Sequence, residues 1–301
     1  MPFHLIEGTF HLTNRTKTGA QTGFEPDGDS IHFKPKNAKL LDRLTRLQQP
    51  YRLTAIGSVQ LRIEGIDALE LHYKPTHGGP YSHQPRPLAD EARDFLTGFL
   101  GLNPVAYAPP KNVRVKPPVL NDGQQGFILS RSLEVHGRPV SFVFAGKSPA
   151  PDGSLIELTV PVVRKSYNYQ AVLKGHAYPL FYDTLFADFR EALAGAAGTA
   201  RSKKRGIWQL DRSTKGYRVT DQAGLETTGV IYPKLYRRLT DFLAETTGHL
   251  ADFEDWLKAQ NEQVLDLERM NFTHFDNLLS VKNGVVKLAR TPEHLVFVSA
   301  K

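Results

Sequence analysis

The sequence predicts an α+β protein in which a small barrel of short strands is joined to helices and followed by a smaller second domain. Apolar and polar residues alternate over short segments in the first half of the chain, which is typical of strands with one buried face. Later in the chain, apolar residues recur at helical spacing. A polar stretch over residues 211–229 separates the two regions, so we expect one domain over residues 1–212 and another over 215–301.

Period-two alternation predicts the strands, most clearly over residues 58–66. There Val59, Leu61 and Ile63 share one face, which we expect to point into the core. The other strands predicted from alternation or from β-branched composition cover residues 3–12, 29–34, 111–116, 126–134, 139–144 and 155–163. Short strands with helices late in the chain favour a small barrel with helices.

Leucines at helical spacing predict a helix over residues 37–48, with Asn37 as its N-cap and Leu47 on its apolar face. The same spacing predicts helices over residues 90–100, 168–175 and 184–205. These helices complete the predicted first domain.

The second domain is predicted to be mostly helical, because helical patterns run from Ile231 to about Met270. One of these helices begins near Pro233 and carries Lys234, Arg237 and Arg238. It would either extend a nucleic-acid groove or form a solvated flank. We expect a hairpin with strands at residues 284–289 and 294–299 to close the chain.

Composition narrows the class of protein. The chain has 301 residues and no cysteine, which excludes disulfides and thiolate chemistry. Its first residues lack the pattern of a signal peptide, and no stretch approaches the roughly 18 apolar residues of a membrane span. We therefore expect a cytoplasmic protein by default, with secretion left open. The formal charge of +7 and pI near 9.4 suit a polyanionic partner such as nucleic acid.

Acidic residues at strand ends indicate a candidate metal site. Asp29, in the run Asp-Gly-Asp-Ser, begins a predicted strand, and Asp67 ends another. Two carboxylates with a backbone carbonyl form an oxygen-only site of the kind that selects Ca²⁺ or Mg²⁺. Glu70 follows Asp67 by three residues and would hold or deprotonate a water. Taken singly, these acids would also fit a turn or a helix cap.

Two arginines complete the candidate site. Arg62 lies on the predicted strand before Asp67, and Arg138 opens a later strand. A guanidinium pairs bidentately with phosphate oxygens and keeps its proton, so the two forks would neutralise charge in phosphoryl transfer. Alternatively, Arg62 with Glu64 would form a surface ion pair, and residues 136–139 a hairpin turn.

In their order along the chain, these motifs resemble the staphylococcal nuclease (thermonuclease) family. The run Leu-Arg-Ile-Glu-Gly-Ile-Asp-Ala-Leu-Glu over residues 61–70 resembles the family signature, with Leu69 in place of the usual proline. The Asp-Gly-Asp-Ser run at residues 27–30 and the Gly-Arg at 137–138 match its other site motifs. Two further likenesses are the helix from Asn168 that leads into Gly-His-Ala at 175–177, and the closing Gly-Ile-Trp at 206–208.

The resemblance implies a five-stranded OB-fold barrel with three helices, here with insertions at about residues 37–50 and 71–87. It implies an endonuclease that cleaves DNA and RNA to leave 3′-phosphates, with Ca²⁺ as the usual activator and Mg²⁺ or another divalent ion as an alternative. The carried-over roles are metal binding by Asp29, Asp67 and the Ala68 carbonyl, water activation by Glu70, phosphate binding by Arg62 and Arg138, and electrostatic support by Asp27.

Other assignments stay open at this stage. Lys34, Lys36 and Tyr178 are candidates for nucleic-acid contact, through charge and base stacking; alternatively, they are core or solvated-face residues. A non-catalytic nucleic-acid-binding module is the alternative function, and a zinc site built from His72, His77 and His83 is a more distant one. We expect DNA or RNA as the partner, no membrane and no obligate protein partner. The sequence does not decide between DNA and RNA, or the oligomeric state.

Overall fold

The computed structural model describes residues 2–46, 48–246 and 249–299. These residues form two compact units, the first from segments 2–64 and 93–171 and the second from segments 65–92 and 172–299. The sequence-based boundary near residues 212–215 falls inside the second unit, and it stays a prediction about which segments fold on their own. No helix among the described residues is both long and apolar enough to span a membrane.

Most of the strands are short. In chain order they are β1 (Phe3–His11), β2 (Thr13–Arg15), β3 (Gln21–Gly23), β4 (His32–Pro35), β5 (Thr45–Arg46), β6 (Val59–Gln60), β7 (Arg62–Ile63), β8 (Ile66–Ala68), β9 (Gln124–Leu133), β10 (Pro139–Ala145), β11 (Leu155–Ile156), β12 (Ala177–Pro179), β13 (Phe181–Tyr182), β14 (Tyr217–Arg218), β15 (Gln263–Asp266), β16 (Asn271–His274), β17 (Leu279–Lys282), β18 (Val285–Leu288) and β19 (Leu295–Phe297).

The α-helices vary from one turn to about four turns. They are α1 (Arg86–Phe99), α2 (Val160–Val163), α3 (Tyr167–Lys174), α4 (Ala187–Ser202), α5 (Gln222–Thr228), α6 (Pro233–Glu245) and α7 (Phe253–Ala259). Short 3-10 segments cover Ala38–Arg43, Gly206–Gln209, Leu250–Asp252, Phe275–Leu278 and Pro292–His294. The predicted α+β class is therefore confirmed.

The first unit contains a nearly closed, barrel-like sheet. Its strands are hydrogen-bonded in the order β6-β4-β1-β9-β10-β7. Since β6 and β7 are separated only by Leu61, the two ends of this order are one continuous stretch of chain. The sheet thus returns to its starting strand, which confirms the predicted small barrel.

Alternation along this closing stretch places its apolar side chains in the core, as predicted. Val59, Leu61 and Ile63 are fully or almost fully buried, whereas Arg62 between them is half-buried. Elsewhere in the core the rings of Phe10 and Phe33 lie 5.1 Å apart across β1 and β4. Burial of such side chains stabilises the barrel by roughly 25 cal/mol per Å² of apolar surface.

A short parallel ladder closes the barrel, with Val140 opposite Arg62 and Ser141 opposite Ile63. The buried side chain of Asn168 braces this ladder. Its amide nitrogen donates to the carbonyl oxygens of Glu64 at 2.8 Å and Ser141 at 3.0 Å. Its amide oxygen accepts from the Val143 nitrogen at 3.0 Å. One side chain therefore ties β10 to the end of β7.

The second unit combines helices with three small sheets. Strand β8 pairs with β12, a four-stranded sheet has the order β13-β19-β15-β16, and a three-stranded sheet has the order β14-β18-β17. The segment expected to be mostly helical, residues 215–301, contains helices α5, α6 and α7 and also six strands among its described residues.

The prediction that the last two strands form a hairpin is wrong, because β18 and β19 lie in different sheets. Strand β18 instead forms a hairpin with β17. The turn between them contains Asn283 and Gly284, both with positive φ, at 51° and 75°. Such an Asn-Gly pair is the strongest short hairpin signal in a sequence, and it identifies the correct partner.

Several predicted elements have different bounds or types. The helix expected over 37–48 is a 3-10 segment of six residues; its expected N-cap, Asn37, accepts from the Lys39 nitrogen at 3.2 Å, and Leu47 lies outside the described residues. The strand expected over 111–116 is reduced to a bridge between Tyr107 and Val115. The apolar run at 155–163 ends in helix α2, which has a proline in its first turn.

Two of the family-like motifs meet at one backbone contact in the second unit. The Ile207 nitrogen donates to the Gly175 carbonyl at 3.0 Å. Gly175 and Gly206 both have positive φ, and a Cβ atom on Gly206 would lie 2.2 Å from the Gly175 oxygen. Only glycine fits both positions without displacing the backbone.

We predict that Asn168→Ala lowers the free energy of unfolding by about 3 kcal/mol, because it removes three buried hydrogen bonds to the backbone. Urea denaturation measures this effect. Asn271→Ala, at an exposed position, is the matched control and should change stability by less than about 0.5 kcal/mol. Equal losses in the two variants would contradict the bracing role of Asn168.

Candidate functional site

The predicted site residues are divided between the two units. Asp27, Asp29, Arg62 and Arg138 belong to the first, and Asp67, Ala68 and Glu70 belong to the second.

In the first unit, the Asp-Gly-Asp-Ser run forms a tight turn, in which Asp27 and Ser30 make a bridge. The hydroxyl of Tyr167, at the start of α3, donates to the Gly28 carbonyl at 2.5 Å. Tyr167 is fully buried, and burial, with the nearby charge of Asp29, raises the pKa of its hydroxyl well above the ordinary value. Tyr167 thus fixes the turn that carries Asp29, and no motif in the sequence predicted this.

Backbone pairing places Arg62 between Asp29 and β10. The Ile63 nitrogen donates to the Asp29 carbonyl at 3.2 Å, so Asp29 lies across from the residue next to Arg62. On the other side, Arg62 lies opposite Val140 in the parallel ladder. Arg62 is half-buried between the buried Leu61 and Ile63, and its side chain therefore faces away from the barrel core.

Arg138 immediately precedes β10, two residues before the partner of Arg62. Its guanidinium donates to the carboxylate of Glu134 at 3.2 and 3.4 Å. Burial alone would raise the pKa of Glu134, but the hydrogen bonds and charge of Arg138 lower it. The hairpin that carries Arg138 thus holds its guanidinium with an internal carboxylate, and a phosphate group would have to compete for it.

In the second unit, Asp67 and Ala68 lie on β8, opposite Tyr178 and Ala177 of β12. Asp67 and Ala68 are each 2% exposed. Glu70 follows the strand, and its backbone carbonyl accepts from the Gln84 nitrogen at 2.8 Å. Strand β8 and the segment directly after it therefore hold the side chains of Asp67 and Glu70 close to the interior of the unit.

Both acidic side chains accept hydrogen bonds from Arg237 of α6. One guanidinium nitrogen, Nη1, donates to Asp67 Oδ1 at 2.9 Å and to Glu70 Oε1 at 2.5 Å. The other, Nη2, donates to Asp67 Oδ2 at 2.9 Å. Burial would lower the pKa of Arg237, but the charges of Asp67 and Glu70 raise it well above its ordinary value. We call Asp67, Glu70 and Arg237 the acid–arginine cluster.

Neighbouring cations of α6 are paired in the same way. Arg238 donates to both carboxylate oxygens of Glu262, at 2.9 and 2.7 Å, and Lys234 lies 2.8 Å from Glu262 Oε1. Burial opposes the charged form of Glu262, but Lys234 and Arg238 lower its pKa to about 2. The expectation that these cations extend a nucleic-acid groove is thus not met in this arrangement, because they bind acids within the unit.

The acid–arginine cluster also decides how a metal would fit. Carboxylate oxygens suit a hard divalent cation, but both oxygens of Asp67 and one of Glu70 already accept from Arg237. In this arrangement the two carboxylates do not fit a divalent ion, since a guanidinium holds the same oxygens. No group of three or more histidine or acidic side chains in the part of the chain described is placed to hold a metal.

The histidines considered for zinc have other partners. His77 Nε2 lies 2.6 Å from a carboxylate oxygen of Glu245, and His83 Nδ1 is 2.9 Å from the Gln84 carbonyl. These contacts are typical of loop histidines tied to the surrounding structure.

The candidate nucleic-acid contacts differ among themselves. Lys34 and Lys36 are exposed, and Lys36 forms an ion pair with Glu7 at 3.0 Å. Tyr178, in contrast, is fully buried, donates to Asp211 at 2.9 Å and packs edge-to-face against Trp208. Base stacking by Tyr178 is therefore wrong for this arrangement, because its ring faces belong to the core.

Comparison with known proteins does not assign the chain to a family. No protein-family model matches it, and no curated protein matches it at a significant level.

We predict that Glu262→Gln destabilises the protein by about 3 kcal/mol near neutral pH, because Lys234 and Arg238 lose a buried counter-charge. The folded pKa of Glu262, about 2, lies below the ordinary value of 4.5. Its charged form therefore stabilises the fold above pH 4.5, and this contribution is lost as pH falls towards 2. Urea denaturation at several pH values should show the two proteins converging in stability.

Glu91→Gln, at an exposed glutamate of α1, is the control for this series and should shift stability by less than about 0.5 kcal/mol. A gap between Glu262→Gln and the unmodified protein that stays constant down to pH 2.5 would contradict the assigned electrostatic role.

Proposed function

We propose that the chain is a nuclease that hydrolyses phosphodiester bonds of DNA, RNA or both. The observation that carries this proposal is the placement of Arg62 between Asp29 and β10, the strand that Arg138 precedes. Sequence motifs that resemble those of the staphylococcal nuclease family thus lie on adjacent backbone segments of one barrel. If these motifs were only unrelated turns and surface ion pairs, nothing would require them to lie next to one another.

The strand circuit supports an OB-fold as the finer description of the barrel. Counting β6 and β7 as one strand, five strands follow in the order first, second, third, fifth, fourth, and the third and fifth are parallel. The remaining neighbours in this circuit are antiparallel. OB-folds are five-stranded, partly open Greek-key barrels that bind oligonucleotides, which agrees with a nucleic-acid substrate.

In the proposed reaction the arginines act on the phosphate. Arg62 would bind two phosphate oxygens through its planar fork and stabilise the charge that grows on them in the transition state. Arg138 would bind the phosphate with a second guanidinium once its hydrogen bonds to Glu134 are replaced by hydrogen bonds to the substrate. Lys34, exposed on β4, would attract the nucleic-acid backbone over a longer range.

Glu70 would accept a proton from the attacking water. The water oxygen forms a bond to phosphorus, the bond to the 5′-oxygen breaks, and that oxygen takes a proton from solvent, which leaves a 3′-phosphate. This role requires the Glu70 carboxylate to leave Arg237. We also propose that the reaction uses an activating divalent cation, Ca²⁺ or Mg²⁺. The acid–arginine cluster as arranged does not fit such an ion.

A second candidate function is a non-catalytic nucleic-acid-binding module, and one specific observation favours it. Arg237 neutralises the two carboxylates that hydrolysis would use. A chain that keeps this pairing permanently would retain the basic surface and lack the acidic chemistry.

Incubation of the full chain with end-labelled single-stranded DNA and RNA, in Ca²⁺, in Mg²⁺ and in chelator, tests the proposal. We expect cleavage in at least one metal and a loss of roughly 100-fold or more in rate for Arg62→Ala. Arg15→Ala, at an exposed arginine of β2, is the matched control and should cleave at the rate of the unmodified chain.

Binding without cleavage in every condition would support the second candidate and reject the nuclease. Cleavage that survives both Arg62→Ala and Glu70→Gln would show that the activity comes from other residues.

A further inference from the structure

The acid–arginine cluster has the features of an occupied cation site. Asp67 and Glu70 side chains are 3% and 15% exposed, and that of Arg237 is 23% exposed. Two carboxylates this close to the interior repel one another and lose hydration, and a neighbouring cation offsets both costs. Arg237 supplies that cation through three hydrogen bonds of 2.5–2.9 Å.

Arg237 donates to the same carboxylate oxygens that a divalent ion at this site would bind. Its fork spans both oxygens of Asp67 and reaches Glu70 through the shared Nη1 atom. A bidentate guanidinium–carboxylate contact is among the strongest and most directional of charged hydrogen bonds. A metal ion at the same Asp67 oxygens would lie close to the positive charge of the guanidinium, so the two cations would repel one another and compete for the carboxylate.

The position of Arg237 is fixed by the rest of α6. On one side of it Lys234 contacts Glu262, and on the other side Arg238 does the same. One turn further along, the Asp241 carboxylate accepts from the Tyr73 hydroxyl at 2.8 Å and from the Thr76 nitrogen at 2.9 Å. Anchors on both sides hold α6 in register, so the backbone of Arg237 stays within reach of the two carboxylates.

We propose that Arg237 is an internal competitor for divalent cations, which keeps Asp67 and Glu70 from binding an ion as long as α6 is seated. Removal of the guanidinium would turn the two carboxylates into a cation site. As a brake on nuclease activity the inference rests on the proposed function, but the competition itself is measurable without any cleavage. Displacement of Arg237 would be the step that permits the acids to act.

The test is binding of Tb³⁺ and Ca²⁺ to the full chain at pH 7.5, by Tb³⁺ luminescence and by calorimetry. Arg237→Met should bind both ions at least about tenfold more tightly than the unmodified chain, because the two acids lose the guanidinium charge beside them. The double variant Arg237→Met/Asp67→Asn should lose this gain. Equal affinity in Arg237→Met and the unmodified chain would overturn the proposal.

Arg201→Met is the matched control. Arg201 makes a similar forked contact in the same unit with a different carboxylate, 2.7 Å from each carboxylate oxygen of Glu293. It should not reproduce the gain in affinity, and a gain of equal size there would show a general effect of losing an arginine.

Arg237→Lys covers the case in which the methionine variant does not fold. Lysine keeps the positive charge but cannot form the planar fork, so its ion affinity should exceed that of the unmodified chain and stay below that of a neutral variant. If Arg237→Lys binds no more tightly than the unmodified chain, the proposal fails.

Cleavage assays on the same proteins separate this inference from the proposed function. A gain in ion binding with no cleavage by any variant would sustain the competition and reject the nuclease. Cleavage by the unmodified chain, with no gain in ion binding for Arg237→Met, would do the reverse.

Discussion

Closure of the barrel depends on a very short parallel pairing between β7 and β10, which Asn168 stabilises from within. Two residue pairs make up this ladder, and so small a contact would contribute little by itself. The buried Asn168 amide adds hydrogen bonds to three backbone groups of the barrel interior, and these bonds reinforce the short pairing. Because Arg62 lies in this ladder, the same interaction sets the position of the candidate phosphate-binding group.

Within the second unit, a different constraint dominates, namely that charge taken out of water must be paired. Helix α6 carries three cations on its buried or half-buried side, and each contacts a carboxylate of the same unit. Such pairs contribute modestly to net stability, yet breaking one of them is costly because the remaining charge stays buried. Asp67 and Glu70 are therefore part of the internal charge balance as well as candidates for chemistry.

Features that depend on local pattern could be predicted from the sequence. Alternation identified the burial of Val59, Leu61 and Ile63, and the order of short strands and helices predicted the barrel. Predictions of individual elements failed where a proline or a turn signal in the sequence was given too little weight. Pro161, in the first turn of α2, replaced an expected strand with a helix, and the Asn283-Gly284 turn identified a hairpin partner that alternation alone had assigned wrongly.

The candidate site was predictable only in part, for a related reason. Spacing within a motif fixes which residues follow one another, so Arg62, Asp67 and Glu70 could be selected together. It carries no information on partners from distant segments, such as Arg237, which lies 170 residues beyond Asp67. The sequence left open whether Tyr178 is a core residue for the same reason, since its neighbour Trp208 comes from a separate helical turn.

The contact between Gly175 and Gly206 bears on what sequence likeness means in this protein. The Gly-His-Ala motif at 175–177 and the Gly-Ile-Trp motif at 206–208 look like independent matches to a family. Their backbones contact each other at Gly175 and Gly206, so both glycines answer one steric requirement. That requirement is indifferent to chemistry. Any chain with this close approach has to keep both glycines, with or without reactive groups, so the pair is evidence of one backbone geometry and gives no evidence of catalysis.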